Sequence, residues 1–280
     1  MQLKLHTETT GHGPDLYLVH GWCLHSGVWD SILPEFAHSY RVTCVDLPGH
    51  GHSREVPMPT SLAALAQLLV DAAPESAVWL GWSLGGLACA RAALDFPVRL
   101  RALALVSTTP RFITAADWPH AMPLERLQEM ATELRHDYHS TVQRFLALQV
   151  RGDNGARATL RQLRKALFAF GEPSPANLER GLMLLRDSDL RTELAHIHIP
   201  TLIMTGEHDR LTPPQAGQFL AAVVRGAQYR VIPRTAHAPF LSSPMEFIFA
   251  LKQFLNNLSA ASSAQAGDHP QMAAQGAHQV

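Results

Sequence analysis

The sequence predicts an α/β fold: a mostly parallel sheet with helices on both faces and a helical lid inserted into it. Three observations carry that expectation. Short apolar runs alternate with longer segments of helical period. The inner runs Ala77-Val78-Trp79-Leu80 and Leu103-Ala104-Leu105-Val106 are apolar at every position, as strands covered on both faces must be. The alternation then stops between Arg111 and Ser188, where helical patterns follow one another without a convincing strand.

In chain order, strands are expected at residues 3–7, 16–20, 41–46, 78–81, 103–107, 201–205 and 229–232. Helical windows fall at 61–73, 84–96, 214–224 and 244–258, so strand and helix alternate with right-handed crossovers. Four further helices are expected at 123–135, 140–149, 156–170 and 176–186, punctuated by Pro110, Pro119, Pro123, Gly152 and Gly155. Residues 1–110 and 189–258 then form the sheet domain and 111–188 the lid, although helices simply packed on the sheet would give the same pattern. Residues 259–280 are rich in Ser, Ala, Gln, Gly and His, with little to bury, and read as a disordered tail.

Composition narrows the function classes. The 280 residues are 46% apolar, enough for a sizeable core. Lys and Arg (23) nearly cancel Asp and Glu (24), which argues against a nucleic-acid binder, because such a protein needs a basic field. Three cysteines with no C-x-x-C pair form no disulfide framework and favour a reducing compartment. No apolar run reaches the ~18 residues of a spanning helix, and no signal-peptide pattern opens the chain. A cytoplasmic, monomeric protein without membrane contact is expected.

The chemistry centres on Gly81-Trp82-Ser83-Leu84-Gly85, a G-x-S-x-G pattern with an apolar strand before it and a helical pattern after it. Such a turn strains the serine backbone and lifts its hydroxyl above the sheet edge, at a helix N-terminus that favours negative charge. The alternative is a plain serine cap on a βα loop.

A serine hydroxyl needs a base. Of 16 histidines, His237 follows the last strand and precedes the terminal helix, which places it at the carboxyl edge beside Ser83. His50 and His52 after the third strand compete with it, whereas His269 and His278 fall in the tail. Asp209, after the penultimate strand, is the candidate to orient the imidazole, ahead of Glu207 and Asp46. The oxyanion needs two donors: the Leu84 N–H, and one from the loop Leu18-Val19-His20-Gly21-Trp22, with Trp22 preferred. His20 reads as a brace for this loop, and Cys23 as a small side chain with no base of its own.

These strings resemble the α/β-hydrolase superfamily, and within it the biotin-pathway carboxylesterases that demethylate pimeloyl-[acyl-carrier protein] methyl ester. The likeness covers residues 15–257 and is most specific in Gly81-Trp82-Ser83-Leu84-Gly85-Gly86 and Arg144-Phe145-Leu146-Ala147-Leu148-Gln149. It implies Ser83 as nucleophile, Asp209 as acid and His237 as base. It also places Trp22, Leu84, Phe145, Leu146, Ala147, Leu148 and Gln149 against the substrate, and requires no metal or cofactor. Three residues depart from the resembled pattern: Cys23 where glycine is usual, His50 where an aromatic is usual, and Ser140 at a basic lid position. A general short-chain esterase or a C–C bond hydrolase of the same fold is the competing enzymatic reading, and a binding module that has lost catalysis is the non-enzymatic one.

Charge in the lid agrees with a carrier-protein partner. From Arg144 to Lys165 there are six basic residues and one acid, Asp153. Arg157, Arg161 and Arg164 share one helix face at i, i+4, i+7. With Arg144, the residues Arg157 and Arg161 are the expected dock for an acidic acyl-carrier protein; a solvated helix face is the alternative.

Overall fold

The computed structural model describes residues 4–167, 169–170 and 173–267, with side chains through residue 260. The first half contains β1 (Thr7–Thr10), β2 (Asp15–Val19), α1 (Leu33–Ala37), β3 (Arg41–Val45), α2 (Leu62–Ala72), β4 (Ala77–Trp82), α3 (Leu84–Asp95) and β5 (Leu100–Val106). Four helices follow: α4 (Leu124–His136), α5 (Tyr138–Gln149), α6 (Ala156–Leu167) and α7 (Pro175–Asp187). The sheet then resumes with β6 (Thr201–Gly206), α8 (Pro214–Val223), β7 (Gln228–Ile232), α9 (Pro239–Ser242) and α10 (Pro244–Gly267).

The seven strands form one sheet in the order β1-β3-β2-β4-β5-β6-β7. All pairs are parallel except β1 with β3. Every residue of β4 and β6 is buried, as inner parallel strands require. Strand order reverses between β2 and β4, so the loops after these two strands diverge at the carboxyl edge and leave a crevice there.

The first strand differs from expectation. Leu5 drew the reading to 3–7, but Leu5 is buried in the core outside any strand, and β1 is the polar run Thr7–Thr10 on the sheet edge. β-branched Thr9 meets Thr43 across the pair, with their hydroxyls 2.9 Å apart.

Helix α2 shows how local sequence becomes packing. Ser61 caps it by accepting from the Ala64 N–H, and Leu62, Leu65, Ala66 and Leu69 are buried on one face. Each such leucine contributes about 1.5–3 kcal/mol of burial. Tyr17 on β2 ties this helix to the sheet by donating to the Leu69 carbonyl at 3.2 Å.

Helices α4–α7 lie between β5 and β6 in the chain. It leaves and re-enters the sheet side by side: Leu190 N–H donates to the Pro110 carbonyl, and Arg111 pairs with Asp189 at 2.7 Å. Arg191 joins Asp189 and Asp117 at the same place. Burial opposes ionisation of Asp189, but hydrogen bonds from Arg191 and Arg111 outweigh it and hold the carboxyl at about 2. Helix α6 ends at Leu167 rather than at residue 170, since the Ala166 carbonyl is taken by the His25 Nε2–H and the Ala169 N–H.

Helix α10 runs to Gly267, so residues 259–267 continue a helix where a tail was expected; residues 268–280 lie outside the described ones. Among the described residues no helix is long and apolar enough to cross a membrane.

Candidate active site

Ser83 sits between β4 and α3 with φ +55° and ψ −119°, a conformation that L residues rarely adopt. The two flanking glycines are required by space. A Cβ on Gly85 would run into the carbonyls of Val19 and His20, and one on Gly81 would lie 2.6 Å from the Gly86 Cα. The turn is fixed by the Ser83 N–H, which donates to the Val106 carbonyl at 3.0 Å. Ser83 is half-buried at the strand crossover.

His237 and Asp209 meet it there. The Ser83 hydroxyl lies 2.9 Å from His237 Nε2, and His237 Nδ1 lies 2.8 Å from Asp209 Oδ2. Both partners of the second bond are almost fully buried. Asp209 Oδ1 accepts from the N–H groups of Leu211 and Thr212, and Oδ2 accepts from the Thr212 hydroxyl at 2.7 Å. These donors satisfy the carboxylate out of water and fix its plane. An imidazole held this way carries its proton on Nδ1 and turns Nε2 as acceptor toward the serine hydroxyl.

Two N–H groups stand free beside the serine. Leu84 opens α3, where no intrahelical acceptor exists, and the Trp22 N–H makes no hydrogen bond among the described residues. Gly21 brings the Trp22 loop against the serine: a Cβ there would lie 3.1 Å from the Ser83 Cβ.

The sequence rivals have other partners. Glu207 is exposed and accepts from the Arg234 N–H, while Asp46 accepts from Ser26 and His52 N–H groups. His50 is buried and binds the Cys23 N–H; His52 is exposed against Phe170. Burial pushes the Cys23 thiol up, away from the thiolate form that a nucleophile needs. His269 and His278 lie outside the described residues.

The α5 segment divides. Phe145 packs edge-on against Trp22 with ring centres 4.7 Å apart, and the Gln149 carbonyl accepts from the His237 N–H. Leu146 is fully buried and Leu148 half-buried beside a cavity of about 260 Å³ that Phe145 also lines. Ala147 is exposed on the opposite side of the helix from Phe145 and Gln149; helical periodicity removes it from the group expected at the substrate. Arg144 is exposed but paired with Glu133 at 2.8 Å. Arg157 and Arg161 are exposed, with no ion pair among the described residues.

Sequence reading missed a second set of contacts. Asp153 accepts from the Ala236 N–H, the Asn154 N–H donates to the Arg234 carbonyl, and His208 Nδ1 contacts the Gly152 carbonyl. Together with Gln149 they fasten the turn after α5 to the loops carrying Asp209 and His237. The available signal was Asp153 itself, the single acid in a basic stretch. Thr212 was also missed, although the spacing Asp209-Arg210-Leu211-Thr212 is that of a carboxylate turn. For metals, His6, Glu8 and His52 bring their polar atoms within 4.8 Å of one another; none of the three contacts Ser83 or Asp209.

The chain belongs to the α/β hydrolase fold family, whose model matches residues 14–244. It is 42% identical over 261 residues to the pimeloyl-[acyl-carrier protein] methyl ester esterase of Stenotrophomonas maltophilia, covering 93% of this chain and 100% of that protein. The esterase of the same name from Xanthomonas oryzae is 43% identical over 90% of this chain and 98% of its own. An esterase structure from Exiguobacterium antarcticum superposes with a TM-score of 0.82 at 20% identity, over 90% of this chain and 95% of that one, which is a likeness of fold.

Proposed function

We propose that this chain is a serine carboxylesterase that hydrolyses the methyl ester of pimeloyl-[acyl-carrier protein], releasing methanol and the free carboxylate for biotin synthesis. The observation that carries the chemistry is the hydrogen-bonded series Ser83–His237–Asp209. The end-to-end likeness to relatives named for this activity supports the substrate.

In this reading His237 Nε2 takes the Ser83 proton as the oxygen attacks the ester carbonyl. Asp209 holds the imidazole and stabilises its cation. The Trp22 and Leu84 N–H groups receive the developing oxyanion. His237 then protonates methanol as it leaves, and afterwards activates a water that attacks the acyl-enzyme and frees Ser83. No step calls on a metal or cofactor.

The acyl chain lies along the Trp22–Phe145 pair, beneath the helical block acting as a lid. The carrier protein docks on α6, where Arg157 and Arg161 are exposed and unpaired among the described residues; Arg144, neutralised by Glu133, contributes less. Remote binding of the carrier orients the long substrate at the serine.

The test is a mass-spectrometric comparison of kcat/KM for pimeloyl-carrier methyl ester and for the free half ester. A clear preference for the carrier-linked form is expected. Equal values would leave a general short-chain esterase.

A further inference from the structure

Behind the Trp22 loop, two buried histidines exchange bonds between neighbouring loops. His20, after β2, accepts on Nε2 from the Leu47 N–H, after β3, at 2.9 Å. His50, in the loop after β3, accepts on Nε2 from the Cys23 N–H, in the loop after β2, at 3.1 Å. Each Nε2 receives a backbone N–H, so each proton sits on Nδ1, where it donates locally: to the Gly21 carbonyl and the Pro48 carbonyl, both at 2.8 Å. The two rings lie 5.5 Å apart, and neither is accessible to solvent.

These bonds reach both chain neighbours of the donor that the reaction uses: His50 accepts from the Cys23 N–H and His20 donates to the Gly21 carbonyl. Cys23 follows Trp22 directly and has φ +74°, a left-handed conformation that a residue with a Cβ keeps only when its surroundings hold it. The bond to His50 supplies that hold. It also occupies the Cys23 N–H, while the Trp22 N–H makes no hydrogen bond among the described residues.

We infer that His20 and His50 form a reciprocal clasp that positions the Trp22 N–H for the oxyanion, with His50 acting through Cys23 as a positioning residue. This rests on the serine-esterase reading above. The clasp needs both rings neutral. The charged and titratable groups facing it are Asp46 and His25, together with each other, and burial dominates: it lowers the pKa of His20 to about 3 and that of His50 to about 4. At the pH of catalysis both therefore remain acceptors.

The test compares His50→Phe, which keeps a ring but loses the acceptor, with His50→Gln, whose amide oxygen restores one. Rates are measured on a small soluble ester and divided by the sites titrated with a fluorophosphonate, so loss of folded protein does not enter. Removing an oxyanion donor outright costs about 10²–10³ in kcat, and loosening one costs less, so His50→Phe should lower kcat about tenfold with KM changed less than about twofold. His50→Gln should recover to within about threefold of the parent. Unchanged kcat per titrated site in His50→Phe overturns the proposal, as does a glutamine variant no better than phenylalanine. Parent enzyme that neither turns over nor labels would instead remove the esterase reading. The parent also gives a check free of substitution: the Cys23 amide should exchange slowly with solvent deuterium, and exchange at the rate of an exposed loop amide contradicts the clasp.

Discussion

The His237 N–H donates to the Gln149 carbonyl at 3.0 Å, which joins the loop of the candidate base to the last turn of α5. A few residues on, Asp153 accepts from the Ala236 N–H, directly before His237. The helical block therefore bears on the site itself. It sets the backbone from which the imidazole projects, and a displacement of α5 would be felt at Nε2.

Asp153→Ala tests this coupling. Loss of the acceptor strands a part-buried N–H, costing about 1–3 kcal/mol of stability, and loosens the His237 loop. A lower denaturation midpoint together with a several-fold fall in kcat is expected, with the Ser83–His237–Asp209 residues intact. A stability loss with unchanged kcat per titrated site would mean that the contact serves folding alone.

Charge on α6 gives a second prediction. Arg157→Glu combined with Arg161→Glu should raise KM for the carrier-linked ester about tenfold or more and weaken its salt dependence. Turnover of a small ester should stay within about twofold. Equal losses on both substrates would point to damage to the helical block rather than to docking.

Three buried or paired groups contribute to the pH dependence of the fold. His20 and His50 titrate at about 3 and about 4 in the folded protein, against an ordinary 6.5, chiefly because of burial. Between those values the unfolded chain binds protons that the folded chain does not, so stability rises with pH. Their contribution is complete above about 6.5 and is lost as pH falls toward 4 and below. Asp189, held at about 2 against 3.8 despite partial burial by its bonds to Arg191 and Arg111, extends the loss below pH 4. Urea midpoints measured from pH 7.5 down to 4 should fall progressively; a flat profile from 7.5 to 5 contradicts the assignment of neutral, buried imidazoles.

Much of this site was legible in the sequence because each main residue follows a strand of a parallel sheet. Once β4, β6 and β7 were placed, the carboxyl-edge rule brought Ser83, Asp209 and His237 together without any distance being known. What was not legible were bonds made by backbone atoms. Nothing in the side chain of Gln149 announces that its carbonyl receives the His237 N–H. The link between Cys23 and His50, two departures from the resembled pattern, also runs through a main-chain N–H across 27 residues. The first strand was misplaced for a related reason: Leu5 signals burial, while edge pairing is written in the threonines after it. Ala147 was included with its neighbours as a string, and helical geometry turned it outward.

The most direct measurement is intact-mass analysis after treatment with a fluorophosphonate, on the parent chain and on Ser83→Ala, alongside turnover of pimeloyl-carrier methyl ester. The account expects one adduct per parent chain at Ser83, none on Ser83→Ala, and at least about a thousandfold loss of turnover with the fold retained. Full labelling at another residue, or turnover by Ser83→Ala near that of the parent, would contradict it.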